Sequence, residues 1–187
     1  LVGAPYDDAG GYAAGAAYLV LGPATGTVDL SLADAKLIGE EAEDHTGWTW
    51  SLDAGDVDGD GLDDVLVGAL HEDAGGSSAG AAYLVLGPVS GEVDLSMADA
   101  KLVGEVGGDE AGGSLASGDV NGDGVEDILV GARGEDAGGS EAGAAYLVLG
   151  PVSGTVDLSL ADAKLVGEAA GDNAGFSLAS GDVNGDG

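Results

Sequence analysis

Two nine-residue stretches, DVDGDGLDD at 56–64 and DVNGDGVED at 119–127, put oxygen-bearing side chains at alternate positions with glycines between them. Counted from the first aspartate, Asp56, Asp58 and Asp60 offer side-chain oxygens at positions one, three and five. Leu62 can add a backbone carbonyl at seven, and Asp64 a carboxylate at nine. In the second copy the same roles fall to Asp119, Asn121, Asp123, Val125 and Asp127. A third copy opens with Asp182, Asn184 and Asp186 and reaches the last residue, Gly187. Glycines such as Gly59 and Gly61 allow the tight turn that gathers these oxygens. The chemistry is chelation of a hard cation. An all-oxygen donor set suits Ca2+, which takes about six to eight such ligands, whereas magnesium holds its water more tightly.

Two carboxylates about 4 Å apart repel by roughly 4 kcal/mol at a surface-like dielectric. The first loop packs four into one turn, so a divalent cation would relieve a substantial penalty. An Asp/Gly-rich turn that merely starts a strand would not need the alternation, the repetition or the ninth-position aspartate. Asp63 and Glu126, at position eight, are expected to point away. A helix–loop–helix calcium site wants a bidentate glutamate at position twelve. Here that position is Val67 or Val130, inside apolar runs, so the loop joins two strands.

The elements that position the loop recur with it. AGAAYLVLGP occurs at 14–23, 79–88 and 142–151, and ADAKL at 33–37, 98–102 and 161–165, so the repeat length is 65 and then 63 residues. Short aliphatic runs bounded by Gly, Asp and Pro predict four strands per repeat. In the middle repeat these are 48–54, 65–69, 81–86 and 101–105. DLSMADA at 94–100 reads equally as a helical turn or a loop. No stretch sustains a helical period. Runs apolar on both faces, such as Val65 to Val67, fit inner strands buried between neighbouring sheets. Four-stranded antiparallel units repeated without helices predict an all-β fold of β-propeller type. An immunoglobulin-type sandwich would need about seven strands per unit.

The predicted organisation is a partial blade at 1–46, complete blades at 47–111 and 112–174, and the start of a further blade at 175–187. LVGA at 1–4 matches 66–69 and 129–132, so both ends are expected to fall mid-repeat, as in a piece of a longer protein. Acidic residues number 35 against four basic ones, a formal charge of −31. That excludes nucleic acid, whose binding needs Lys and Arg, and argues against anionic membranes. Cations and basic surfaces are the partners such a field favours. Apolar runs such as 81–86 are far too short to span a bilayer as helices, and no cysteine is available for disulfide or thiolate chemistry.

These motifs resemble the FG-GAP repeat of integrin α-subunit β-propellers and their bacterial relatives. The aromatic–glycine step before the loop corresponds to Gly47-Trp48, Gly112-Gly113 and Gly175-Phe176. The Gly-Ala-Pro step after it corresponds to Gly3-Ala4-Pro5, Gly68-Ala69-Leu70 and Gly131-Ala132-Arg133, so only the first keeps its proline. The resemblance implies calcium in the hairpin between the first and second strands of a blade. It also implies a secreted or cell-surface location and a part in adhesion, with an extracellular protein or carbohydrate as ligand. An accessory propeller of a larger secreted enzyme, or a structural repeat array, are the alternatives.

Catalysis within these residues is not expected. Every acidic cluster recurs in each repeat, whereas a catalytic carboxylate pair is normally unique. His45 and His71 each stand alone among the copies and read as surface variation. Lys36, Lys101 and Lys164 recur in register and predict structural contacts with neighbouring acidic loops. Tyr18, Tyr83 and Tyr146 predict packing between blades. The acidic loops containing Glu72-Asp73 and Glu135-Asp136 read as a solvated rim.

Overall fold

The computed structural model describes residues 1–181, and the third-loop candidates Asp182, Asn184 and Asp186 lie outside them. The first repeat contributes β1 (Val2–Ala4), β2 (Ala16–Leu19) and β3 (Ala35–Ile38). The second contributes β4 (Leu52–Gly55), β5 (Asp64–Ala69), β6 (Ala81–Val85), β7 (Gly91–Asp94) and β8 (Ala100–Val103). The third contributes β9 (Ala111–Gly118), β10 (Asp127–Ala132), β11 (Ala144–Val148), β12 (Gly154–Asp157) and β13 (Ala163–Val166). They form three sheets ordered β1-β2-β3-β7, β4-β5-β6-β8-β12 and β9-β10-β11-β13. The fold is all-β, with propeller-type sheets built from antiparallel meanders. Among the described residues the only helical pieces are single 3-10 turns.

The apolar strands are buried as predicted. Every residue of β5 and β6 is buried, and Leu66, Leu84, Leu102, Ile128 and Val130 share one core with Tyr146. Close approach of the sheets depends on small residues. A Cβ at Gly68 would lie 1.9 Å from the Gly112 carbonyl oxygen, and one at Gly131 would lie 2.1 Å from that of Gly175.

Two strand expectations change. The first strand of the second repeat begins at Leu52, not at Trp48. Ser51 N bonds back to Trp48 O, and Trp50 takes a positive φ of 64°, so this stretch is a turn. The segment before the 3-10 turn is not plain loop either. β7 runs parallel to β3 of the preceding repeat, from Ala35↔Gly91 to Ile38↔Asp94. β12 adds to β8 in the same way, from Ala100↔Gly154 to Val103↔Asp157. Each repeat thus lends a strand to its predecessor, and the sheets are mixed rather than purely antiparallel. Asp94 closes the strand by accepting from Ser96 N at 2.9 Å and opens the turn Leu95–Met97.

The recurrent lysines bind the repeats together. Lys101 Nζ lies 2.6 Å from Glu40 Oε2 of the preceding repeat and 2.8 Å from Glu72 Oε1 of its own. Tyr83, fully buried, donates its hydroxyl to the same Glu40 oxygen at 2.8 Å. Lys164, Glu105, Glu135 and Tyr146 repeat the arrangement. Glu72 and Glu135 are therefore buried partners of lysines, not members of a solvated rim. Their positions were misread because an acidic loop looks the same in sequence whether its carboxylate turns inward or outward.

Burial would raise the Glu40 carboxyl, but the Lys101 and Tyr83 hydrogen bonds outweigh it and hold its pKa below the usual carboxylate range. Hydrogen bonds to charged groups are worth roughly 1.5–3 kcal/mol, less where solvent screens them. Lys101→Ala is expected to lose about 2 kcal/mol in urea denaturation at neutral pH. A depressed folded pKa gives stability that is present above the unfolded value and lost as pH falls through the folded one. The difference between the variant and the wild type should therefore shrink in acid.

Candidate metal centre

The β4–β5 hairpin carries Asp56 to Asp64, and the β9–β10 hairpin carries Asp119 to Asp127. Strand pairing sets the mouth of each loop: Gly55 stands opposite Asp64, and Gly118 opposite Asp127. The ninth-position aspartate is thus the first residue of the second strand, and it is buried in both copies. Asp64 accepts from Val57 N at 3.0 Å and from Gly87 N at 2.8 Å, one bond to each oxygen. Asp127 accepts from Val120 N and Gly150 N, both at 2.9 Å. This carboxylate therefore holds the loop start and the turn after the third strand together. Burial raises the Asp64 pKa, the Gly87 and Val57 amides oppose it, and the Asp58 carboxylate pushes it up again.

Within the first loop, Asp56 Oδ2 accepts from Gly61 N at 2.9 Å. Its Oδ1 is buried and has no hydrogen-bond partner, one of two such atoms among the described residues. Asp58 and Asp60 each accept from the amide two residues on, Asp60 N at 2.9 Å and Leu62 N at 2.8 Å. One oxygen from each of Asp56, Asp58 and Asp64 lies within 4.8 Å of the other two. Asp60 stands outside that trio, and the Leu62 and Asp63 side chains are exposed. Three converging carboxylates, one of them with an oxygen that has no partner, fit a small hard cation.

The second loop differs. Asp119 accepts three amides, from Gly122 at 2.7 Å, Asp123 at 3.1 Å and Gly124 at 2.8 Å. Asn121 turns its amide nitrogen to Asp123 Oδ2 at 2.9 Å, and Asp123 Oδ1 accepts from Val125 N. Asp123, like its counterpart Asp60, stands outside any group of converging carboxylates, and position three is Asn121 in place of an aspartate. Asn121 relieves the repulsion that an aspartate at position three would bring, so the loop closes on its own amides.

Sequence reasoning missed two features near the loops on the other side of the sheets. His45 and His71 meet with their Nδ1 atoms 2.6 Å apart, beside Tyr6 and Trp48. Burial and then the neighbouring His71 lower the His45 pKa, against the Glu43 carboxylate. Histidines unique to their repeats carry no periodic signal that could have paired them. The second feature is Asp44, only 4% exposed and pushed up to about 6 by burial, against the Glu41 amide and with Glu72 adding to the rise. A raised folded pKa means that ionisation opposes folding. That penalty is absent below the unfolded value and grows as pH rises towards the folded one. Asp44→Asn should therefore raise the melting temperature at pH about 8, and the gain should vanish by pH about 4.

The FG-GAP repeat model matches residues 48–85 and 111–148. Each span covers a first strand, its aspartate loop, and the second and third strands. No curated protein matches the chain.

Proposed function

We propose that this chain, which carries two FG-GAP repeats, is a non-catalytic calcium-binding propeller segment that serves as an extracellular recognition scaffold. The observation that carries the calcium reading is that Asp56, whose Oδ1 is buried and partnerless, sets a carboxylate oxygen within 4.8 Å of oxygens of Asp58 and Asp64. Asp56, Asp58 and Asp64 would hold the ion, with Asp60 and the Leu62 carbonyl completing the donor set. Asp119, Asn121, Asp123, Val125 and Asp127 form the second set by homology of position, and Asp182, Asn184 and Asp186 begin a third. When bound, calcium supplies positive charge that offsets the carboxylate crowding. The chain's own contribution is to fix Asp64 at the head of β5, so that the ion ties loop to sheet.

A scaffold role agrees with how the other conspicuous acids are used. Glu40, Glu72, Glu105 and Glu135 hold lysines at the junctions between repeats. Among the described residues no helix is long and apolar enough to cross a membrane. Adhesion through a protein or carbohydrate ligand in the extracellular space is the role this family resemblance favours. Isothermal titration of chelator-stripped protein tests the metal reading directly. Saturable Ca2+ binding, weaker or absent for Mg2+ and reduced by Asp56→Asn, is expected. Titration without saturable heat for either cation would overturn it.

A further inference from the structure

The two aspartate loops touch each other. Glu126, at position eight of the second loop, donates its backbone amide to Asp56 O, the carbonyl at position one of the first, at 3.0 Å. Val57, the next residue, is fully buried in the core that the second and third repeats share, together with Ile128, Val148 and Val152. A Cβ on Gly59 would lie 3.2 Å from Val125 Cγ2, so the seventh-position valine of the second loop packs on the middle of the first. The Glu126 carboxylate turns the same way and lies over Gly55, where a Cβ would clash with its Oε2.

These contacts fall on the residues that must be ordered for the second loop to hold an ion. Val125 and Asp127 are the donors assigned to positions seven and nine, and Glu126 lies between them. Asp127 is fixed through Gly150 N at 2.9 Å, and Gly150 itself abuts the first loop, since a Cβ there would lie 3.0 Å from Val57 O. The start of the second loop is held differently. Asp119 accepts from the Gly122, Asp123 and Gly124 amides, and ligation requires those bonds to be exchanged. The first loop has less to exchange, because the Asp56 carboxylate accepts one amide, from Gly61.

We infer, on the calcium reading of both loops, that they load in order and with positive coupling, an ion in the first loop raising the affinity of the second. Ligation by Asp56 fixes the residue whose carbonyl the Glu126 amide bonds. Val125 and Asp127, on either side of Glu126, are thereby held in place before the second ion arrives. Part of the ordering cost of the second loop is then met by the first ion. Coupling between two sites typically amounts to a factor of about 5–150, and it is reciprocal. Repulsion between the two ions acts in the opposite sense, and salt screens it, with a Debye length of about 8 Å at 0.15 M.

Isothermal titration of chelator-stripped protein with Ca2+, in salt of about 0.15 M, should resolve two steps. Asp56→Asn leaves the second loop to bind alone, and its Kd should be at least about fivefold above that of the wild-type second step. Glu126→Pro removes the bridging amide and keeps every assigned donor. Its first step should match the wild type, and its second should weaken towards the value in Asp56→Asn. Hydrogen exchange of the unsubstituted chain gives a second readout: calcium sufficient for the first step alone should already slow exchange across 120–127. A second-step Kd that is the same in Asp56→Asn, or in Glu126→Pro, as in the wild type would overturn the coupling and leave calcium binding standing. So would exchange across 120–127 that slows only at the second step, or one ion per chain at saturation. A wild type without saturable heat overturns the calcium reading itself, and the coupling with it.

Discussion

Chelation of calcium should lower the melting temperature of this chain by about 10–20 °C relative to protein in 10 mM Ca2+, when both loops load. A ligand that binds only the folded state stabilises by RT ln(1 + [L]/Kd), about 2.7 kcal/mol at a hundredfold excess over Kd. Extracellular calcium modules bind with Kd on the order of 10⁻⁴ to 10⁻³ M, so 10 mM lies near that excess for the tighter sites. For a chain of this size each kcal/mol moves the midpoint by roughly 2–4 °C. Two sites give the full range, and one site gives about half. The two loops are not equivalent, since three carboxylates converge in the first while Asp119 in the second is occupied by three amides. Filling the second loop requires those bonds to be exchanged for ligation. Differential scanning calorimetry across a calcium series should therefore show the first loop's contribution at lower concentration. A midpoint that does not move between chelator and 10 mM calcium removes structural calcium from consideration.

How far such behaviour could be read from the chain alone differs from element to element. The second and third strands were legible because they are rich in Val, Leu and Ala and, in β5 and β6, buried on both faces. The aspartate loop was legible through its alternation, which a simple turn does not require. β7 and β12 were not: Gly-Glu-Val-Asp and Gly-Thr-Val-Asp are short and mostly exposed, and their stability comes from a neighbouring repeat's edge rather than from their own pattern. Local sequence cannot report a partner more than fifty positions away. Trp48 to Ser51 failed for the opposite reason. Aromatic residues favour strands, but Trp50 sits at φ 64° in a turn and packs its ring against Phe176 at 5.1 Å between ring centres. The lysine staples were anticipated from their periodic recurrence, whereas the bonds that Lys101 and Lys164 make to the preceding repeat's glutamate became visible only once the sheets were packed. Periodicity thus identifies which residues matter in every repeat, and packing decides which repeat each one serves.

Asp64 and Asp56, chemically identical and eight positions apart, should respond to alanine in opposite ways. Asp64→Ala leaves the Gly87 amide without its acceptor and the Val57 amide with the Gly55 carbonyl alone. An unsatisfied buried group costs about 1–3 kcal/mol, so a loss of about 2–3 kcal/mol is expected, in chelator as well as in calcium. Asp64→Asn should fall between the two, because its amide oxygen can accept one of those bonds while its nitrogen can accept neither. Asp56→Ala removes a carboxylate whose only hydrogen bond is to an exposed glycine amide and whose other oxygen has no partner. Deleting a buried acceptor that satisfies nothing costs little. The chelated variant should therefore melt within about 1 kcal/mol of the chelated wild type. What Asp56→Ala should abolish is the calcium-dependent rise of the midpoint. The contrast separates the carboxylate that closes the hairpin onto the sheet from the one that the proposed function assigns to the ion. Urea denaturation of both variants with and without calcium decides it. Equal losses in chelator would mean that the first-position carboxylate is also a structural acceptor, and a calcium response retained by Asp56→Ala would place the ion elsewhere.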